Sequence, residues 1–124
     1  MMIADQPDAI APDGTEVRFL ARTERGSMAQ FSLPVGKTSI AVAHHSVEEV
    51  WFFSQGQGQF WFKSAAGEEV LEIAPGVSLS IAVGTHFQFR NTGKAPLIAI
   101  GTTMPPWPGM DEAYRVEGKW PASP

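Results

Sequence analysis

Cysteine is absent from the 124-residue chain. That absence excludes disulfide staples, thiolate metal ligation and a thiol nucleophile together. Basic charge is also sparse: nine Lys and Arg stand against thirteen Asp and Glu, for a net charge of -4. They are scattered from Arg18 to Lys119 without a run, so no basic patch offers itself to a nucleic-acid backbone or to anionic lipid. No apolar stretch approaches the roughly 18 residues of a membrane span. The opening residues from Met1 to Asp8 hold neither a basic nor an apolar leader segment. The expectation is a soluble, cytoplasmic protein with neither nucleic acid nor membrane as partner.

Helical periodicity is missing as well. With 44% hydrophobic and 18% charged residues, the chain suits one globular domain rather than a disordered segment. Short strand-like pieces fill it: 16–22, 27–33, 37–45, 49–54, 58–64, 69–73, 77–83, 86–90 and 96–103. Turn formers such as Gly26, Pro34, Gly56, Gly67, Pro75, Gly84 and Gly93 separate them. Many short strands with closely spaced turn signals predict an all-β sandwich or barrel. Residues 1–14, with Pro7, Pro12 and Gly14, read as a flexible arm, and 15–104 as the barrel. From 105 to 124 a Pro- and Trp-rich tail cannot continue a ladder and reads as a strap, with Trp107 and Trp120 docking on it.

The chain is organised around the stretch from Gly36 to Gly56, which holds His44, His45 and Glu49. Across 38–45 one alternating set is Thr38, Ile40, Val42 and His44, and the other is Ser39, Ala41, Ala43 and His45. Burying Ile and Val is worth more than burying Ser and Ala, which turns His44 inward. His45 is the reserve inward histidine in the other register. Glu48, beside Glu49, faces the opposite way and reads as solvated.

Spacing carries a resemblance. Five residues separate Gly36 from position 42, and one separates 42 from His44. Four separate His44 from Glu49, and six separate Glu49 from Gly56. Further on, Gly76, Ala82, Gly84 and Asn91 hold a second pattern. Together these resemble the two motifs of small single-domain cupins, in which positions 42 and 87 carry histidine and 82 proline. Here Val42 and Phe87 stand at the histidine positions, so the metal motif is degenerate. The resemblance implies a cupin jelly-roll barrel, or double-stranded β-helix, and a two-fold homodimer, for which the strand with Val17, Phe19 and Leu20 is the candidate interface.

In cupins such residues bind one divalent transition metal, of the set Fe, Mn, Ni, Cu or Zn. The resemblance carries this role to His44 and Glu49, and to His86 if a bulge after Gly84 turns it inward. Simple alternation instead puts His86 outside with Gln88 and Arg90, leaving a metal-free pocket with a hydrogen-bonded His44–Glu49 pair. Glu49 is the candidate acid or base in either case. Trp51, Phe53, Trp61 and Phe87 are the candidate substrate-binding walls, weighed against the ordinary role of aromatics as core. Three functions follow as expectations. One is a metal-dependent sugar-isomerase-like or dioxygenase-like enzyme acting on a small polar molecule. The second is a metal-free binding or sensing barrel, and the third a structural dimerisation module.

Overall fold

Alternation of buried and exposed side chains runs through the longest strands, and it fixes the two layers of the molecule. The computed structural model describes all residues, 1–124. Its strands are β1 Ala9–Ile10, β2 Glu16–Arg22, β3 Ser27–Leu33, β4 Val42–His44, β5 Glu48–Gln55 and β6 Gly58–Ser64. They continue with β7 Gly67–Ile73, β8 Ser78–Ile81, β9 His86–Asn91, β10 Leu97–Met104 and β11 Ala113–Arg115. In β5, Glu49, Trp51 and Phe53 are buried while Glu48, Val50 and Phe52 are exposed. In β10 the buried set is Leu97, Ala99, Gly101 and Thr103. A two-residue period buries one face of each strand and wets the other, so the register is strongly specified.

Two antiparallel sheets result. One has six strands in the order β1-β2-β3-β10-β5-β8, and the other five in the order β11-β4-β9-β6-β7. The inner faces meet in an aromatic layer. Phe60 stacks on Phe87 at 5.7 Å and on Phe89 at 5.5 Å between ring centroids, and Trp51 meets Phe60 edge-on at 5.6 Å. Leu33, Phe53, Ile73, Ile81 and Leu97 close the layer and are almost wholly buried. Each such side chain stabilises the fold by about 1.5–3 kcal/mol through its transfer from water. No helix is long and apolar enough to cross a membrane.

Gly101 lets the six-stranded sheet carry a stacked aromatic pair. A Cβ there would lie 2.6 Å from Phe31 Cε2 and 2.9 Å from Trp51 Cδ1. Only a residue without a side chain allows those rings to sit over β10, 4.7 Å apart and inclined by 21°.

Three expectations need correction. The N-terminal segment is not a loose arm. Ala9 and Ile10 pair with Val17 and Glu16 on the edge of β2, and Arg18 donates to the carbonyls of Ala4 and Asp5. The unpaired edge of β2 supplies partners that the sequence pattern does not reveal. The strand expected over 37–45 is regular only at β4; before it, Ser39 N–H donates to Phe89 O, and Thr38 bridges Arg90. The tail is more than a strap, because β11 adds a strand to the edge of β4 with Ala113 opposite His44. Ala41 and Ala43, on the face that alternation leaves to solvent, are buried as well.

Candidate functional site

The turn between β4 and β5 brings the site together. Glu112, in the single 3-10 turn Met110–Glu112 of the tail, reaches across to it. Its Oε1 accepts from the backbone N–H groups of Ser46 and Val47, each at 2.6 Å, and Ser46 Oγ donates to both carboxylate oxygens. Burial works against the charge, but these hydrogen bonds and the nearby His44 hold the Glu112 carboxyl below its ordinary range. The backbone at 45 is tied as well, with His45 N–H donating to Glu112 O. A charged clasp thus fixes the end of β4 against the start of β5.

Clasped in this way, His44 and Glu49 meet. Both are buried, at 5% and 3% exposure, and His44 Nδ1 lies 3.4 Å from Glu49 Oε2. The two atoms are sealed from water yet do not reach hydrogen-bond geometry, and the Trp51 indole Nε1 is likewise buried without a formed partner. Burial lowers the His44 pKa, against the pull of the Glu112 charge. Burial also raises that of Glu49 to about 8; the Trp51 N–H draws it down and the Asp13 carboxyl pushes it up. At neutral pH the pair is therefore a neutral imidazole beside a largely protonated acid.

The pair lines a cavity of about 620 Å³ whose walls come from both sheets, the segment before β2 and the tail. Phe31, Trp51, Val42 and Phe87 are among its walls, and most of its lining is hydrophobic. Trp107 of the tail packs edge-on against the His44 ring at 5.4 Å, as does Phe87 at the same separation. Three buried polar atoms without partners are costly, at about 1–3 kcal/mol each.

The sequence-derived candidates divide. His44, Glu49, Trp51 and Phe87 share the cavity. His86 does not join them: the β6–β9 register runs unbroken to the Lys63–His86 pair, so no bulge re-aims it and it stays on the face opposite Phe87. Phe53 faces inward but is part of the solid core, fully buried against Trp51 and Phe60. Trp61 pairs with Gln88 on the outer face of its sheet and donates to Glu68 Oε1 at 2.9 Å, because Phe60 and Phe62 take the inward positions. His45 is exposed, its ring 4.4 Å from that of Tyr114.

Sequence reasoning missed Asp13, Phe31 and Glu112. Asp13 is buried at the cavity, accepting from Thr15 N–H at 3.0 Å and Thr15 Oγ1 at 2.7 Å. An Asp two residues before a Thr is a turn signature that could have marked it. Nothing local distinguishes Phe31 or Glu112.

A first-row metal does not fit the side chains present. Protein-held metals of this kind take three or more imidazole, carboxylate or thiolate ligands, and no cluster of three His, Asp or Glu side chains suits one. Val42 and Phe87, at the two positions where cupins carry histidine, turn apolar groups to the same cavity. Glu112 is committed to the Ser46–Val47 backbone and Asp13 to Thr15.

No family model matches the sequence. An uncharacterized protein of Methanocaldococcus jannaschii is 25% identical over 107 residues, 82% of each chain. Among solved structures, a Klebsiella pneumoniae protein with a double-stranded β-helix domain superposes with TM-score 0.68 at 13% identity, over 84% of this chain and 85% of that one. The Cnp3 cupin domain of Schizosaccharomyces pombe gives 0.67 at 11% identity, over 85% and 69%. Oxalate decarboxylase of Lactobacillus farciminis gives 0.69 at 19% identity, over 82% of this chain and 31% of that enzyme. These likenesses are of architecture, and one architecture hosts many unrelated functions. In topology, in sheet pairing and by superposition, this chain is a cupin-fold, double-stranded β-helix barrel.

Proposed function

We propose that this protein binds a small molecule in its barrel through side chains alone, without a metal. The observation that carries the reading is the convergence of the His44, Glu49 and Trp51 side chains, none of which makes a formed hydrogen bond, at an otherwise apolar cavity. A volume of about 620 Å³ lies within the roughly 300–1,000 Å³ of ordinary ligand sites. That volume disfavours a structural module whose interior is filled by its own aromatics.

A catalytic role for the same pair is the second reading, favoured by Glu49 with its pKa raised to about 8. A carboxyl poised near neutral pH is a competent proton donor, and His44 beside it can take or relay that proton. The chain's own residues would then bind the substrate, exclude water from it and move one proton at Glu49.

Chemical-shift mapping with a fragment library tests the binding reading. Ligands are expected to move the side-chain resonances of His44 and Trp51, and to lose affinity in His44→Phe. Hits confined to other surfaces, in a folded protein, would sink it.

A further inference from the structure

His44 and Glu49 turn one atom each toward the other, and this decides what they offer a ligand. The inner atoms, Nδ1 and Oε2, are sealed 3.4 Å apart. Nε2 and Oε1 are then the atoms through which the pair meets the cavity. Consider the proton between the inner atoms in a pair of zero net charge. If it sits on Oε2, the neutral imidazole carries its other hydrogen on Nε2. If it sits on Nδ1, either the ring is an imidazolium with a hydrogen on Nε2, or the ring is neutral, Nε2 is an acceptor and Glu49 carries its proton on Oε1. Glu49 Oε1 is an acceptor whenever Nε2 bears a hydrogen, and a donor when Nε2 does not. The cavity floor therefore presents one donor beside one acceptor, on Nε2 and Oε1, wherever the inner proton rests.

Charge and walls narrow the ligand further. Asp13 and Glu49 are both buried in the lining, and the one strong base there, Arg22, is at the exposed end of β2. A ligand carboxylate would give up its hydration beside two acidic side chains with no buried cation to pair with, which is costly in apolar surroundings. An ammonium offers only donors and would leave the donor of the floor without an acceptor. The stacked Phe31–Trp51 rings on one side and Phe87 on another suit a flat apolar body.

We infer that the cavity takes an uncharged, flat, largely apolar molecule bearing an acceptor and a donor on one edge, as in a lactam or a hydroxy-carbonyl group. This rests on the small-molecule reading above and specifies its ligand.

A series of matched bicyclic probes tests it on the intact protein by chemical-shift titration near pH 6.5. Oxindole has both groups, 1-indanone the acceptor only, and indane neither; indane-2-carboxylate and 2-aminoindane supply the two charges. Oxindole is expected to bind about tenfold more tightly than indane, with 1-indanone between them, as for one or two net hydrogen bonds. The charged probes should bind more weakly than oxindole. In His44→Phe and in Glu49→Leu the oxindole advantage should fall below about threefold while indane binding persists, which separates lost recognition from lost folding. Indane binding as tightly as oxindole, or either charged probe binding more tightly, overturns the inference and leaves the small-molecule reading standing. If none of the five binds, both fall together.

Discussion

Val42 and Phe87 are direct cross-strand partners between β4 and β9, and both side chains line the cavity that holds His44 and Glu49. Neighbouring strands stand about 4.8 Å apart, so these two residues occupy one corner of the site. A pair of imidazoles there would complete a metal-binding set with His44 and Glu49; a valine and a phenylalanine make it an apolar wall instead. The remaining polar groups must then deal with a ligand directly.

The first prediction concerns metal. Protein prepared without an affinity tag should melt at the same temperature, within about 1 °C, before and after chelator treatment. A structural metal would contribute far more than that. The double variant Val42→His with Phe87→His should gain saturable binding of about one equivalent of Co(II), visible by its absorption. Stoichiometric metal in the unaltered protein, lost in His44→Ala, would contradict the donor-set argument.

Stability should depend on pH through both members of the pair. Glu49 rises from 4.5 to about 8 on folding, so the folded state holds its proton more tightly than the unfolded chain. Its contribution is fully present below about pH 4.5 and is lost as pH rises through about 8, at up to ~1.4 kcal/mol per pH unit. His44 is lowered from 6.5, so the unfolded chain binds its proton more readily and stability falls as pH drops below that value. Urea unfolding should find greatest stability on the acid side of neutrality, with a decline from pH 7 to 9 that Glu49→Gln abolishes. A wild-type stability that rises over that interval would be inconsistent with a buried neutral Glu49.

Glu112→Ala should open the clasp between tail and turn. It leaves the N–H groups of Ser46 and Val47 without their 2.6 Å acceptor. A loss of about 1–3 kcal/mol is expected for buried charge-assisted bonds, read by urea unfolding. Amide exchange at residues 45–47 should accelerate with it. Unchanged protection there would mean that the turn holds itself.

Gly101→Ala should damage the stacked wall. The added methyl would press on Phe31 and Trp51 at 2.6 and 2.9 Å, and overpacking of this kind costs about 1–3 kcal/mol. The near-UV circular dichroism of the tryptophans should change along with the unfolding midpoint. Neutral behaviour in both would show that β10 can shift to accommodate a side chain.

Trp61→Phe offers a contrast with Trp51→Phe. Trp61 lies outside the barrel interior and donates to Glu68, so its loss should lower stability by about 1 kcal/mol without changing probe binding. Trp51→Phe should alter both. Equal effects on binding would place Trp61 nearer the cavity than its register allows.

Much of this was legible in the letters. The two-residue period of Glu49-Val50-Trp51-Phe52-Phe53 and the glycines flanking it predict β5 and its inward face, since alternation is a local property of the chain. The spacing from Gly36 to Gly56 likewise predicts the barrel, and the same spacing marks His44 and Glu49. Trp61 shows where local reasoning stops. Phe60, Trp61 and Phe62 are all large aromatics, and only the pairing of Phe60 with Phe89 and of Trp61 with Gln88 assigns them to opposite faces. His86 is similar, because whether a bulge turns it inward depends on an unbroken register with β6 and not on its own neighbours.

The sequence by itself determined the strand menu, the absence of thiol chemistry and the burial of one histidine, because these depend on residue type and short-range period. Tertiary structure alone decided the character of the site. Glu112 reaches Ser46 across more than sixty residues, and Asp13 and Phe31 come to the cavity from other strands and turns. Protonation of Glu49 follows from burial, which is a property of the closed barrel. Contacts between distant segments, and the low dielectric they enclose, have no signature in any local stretch of the chain.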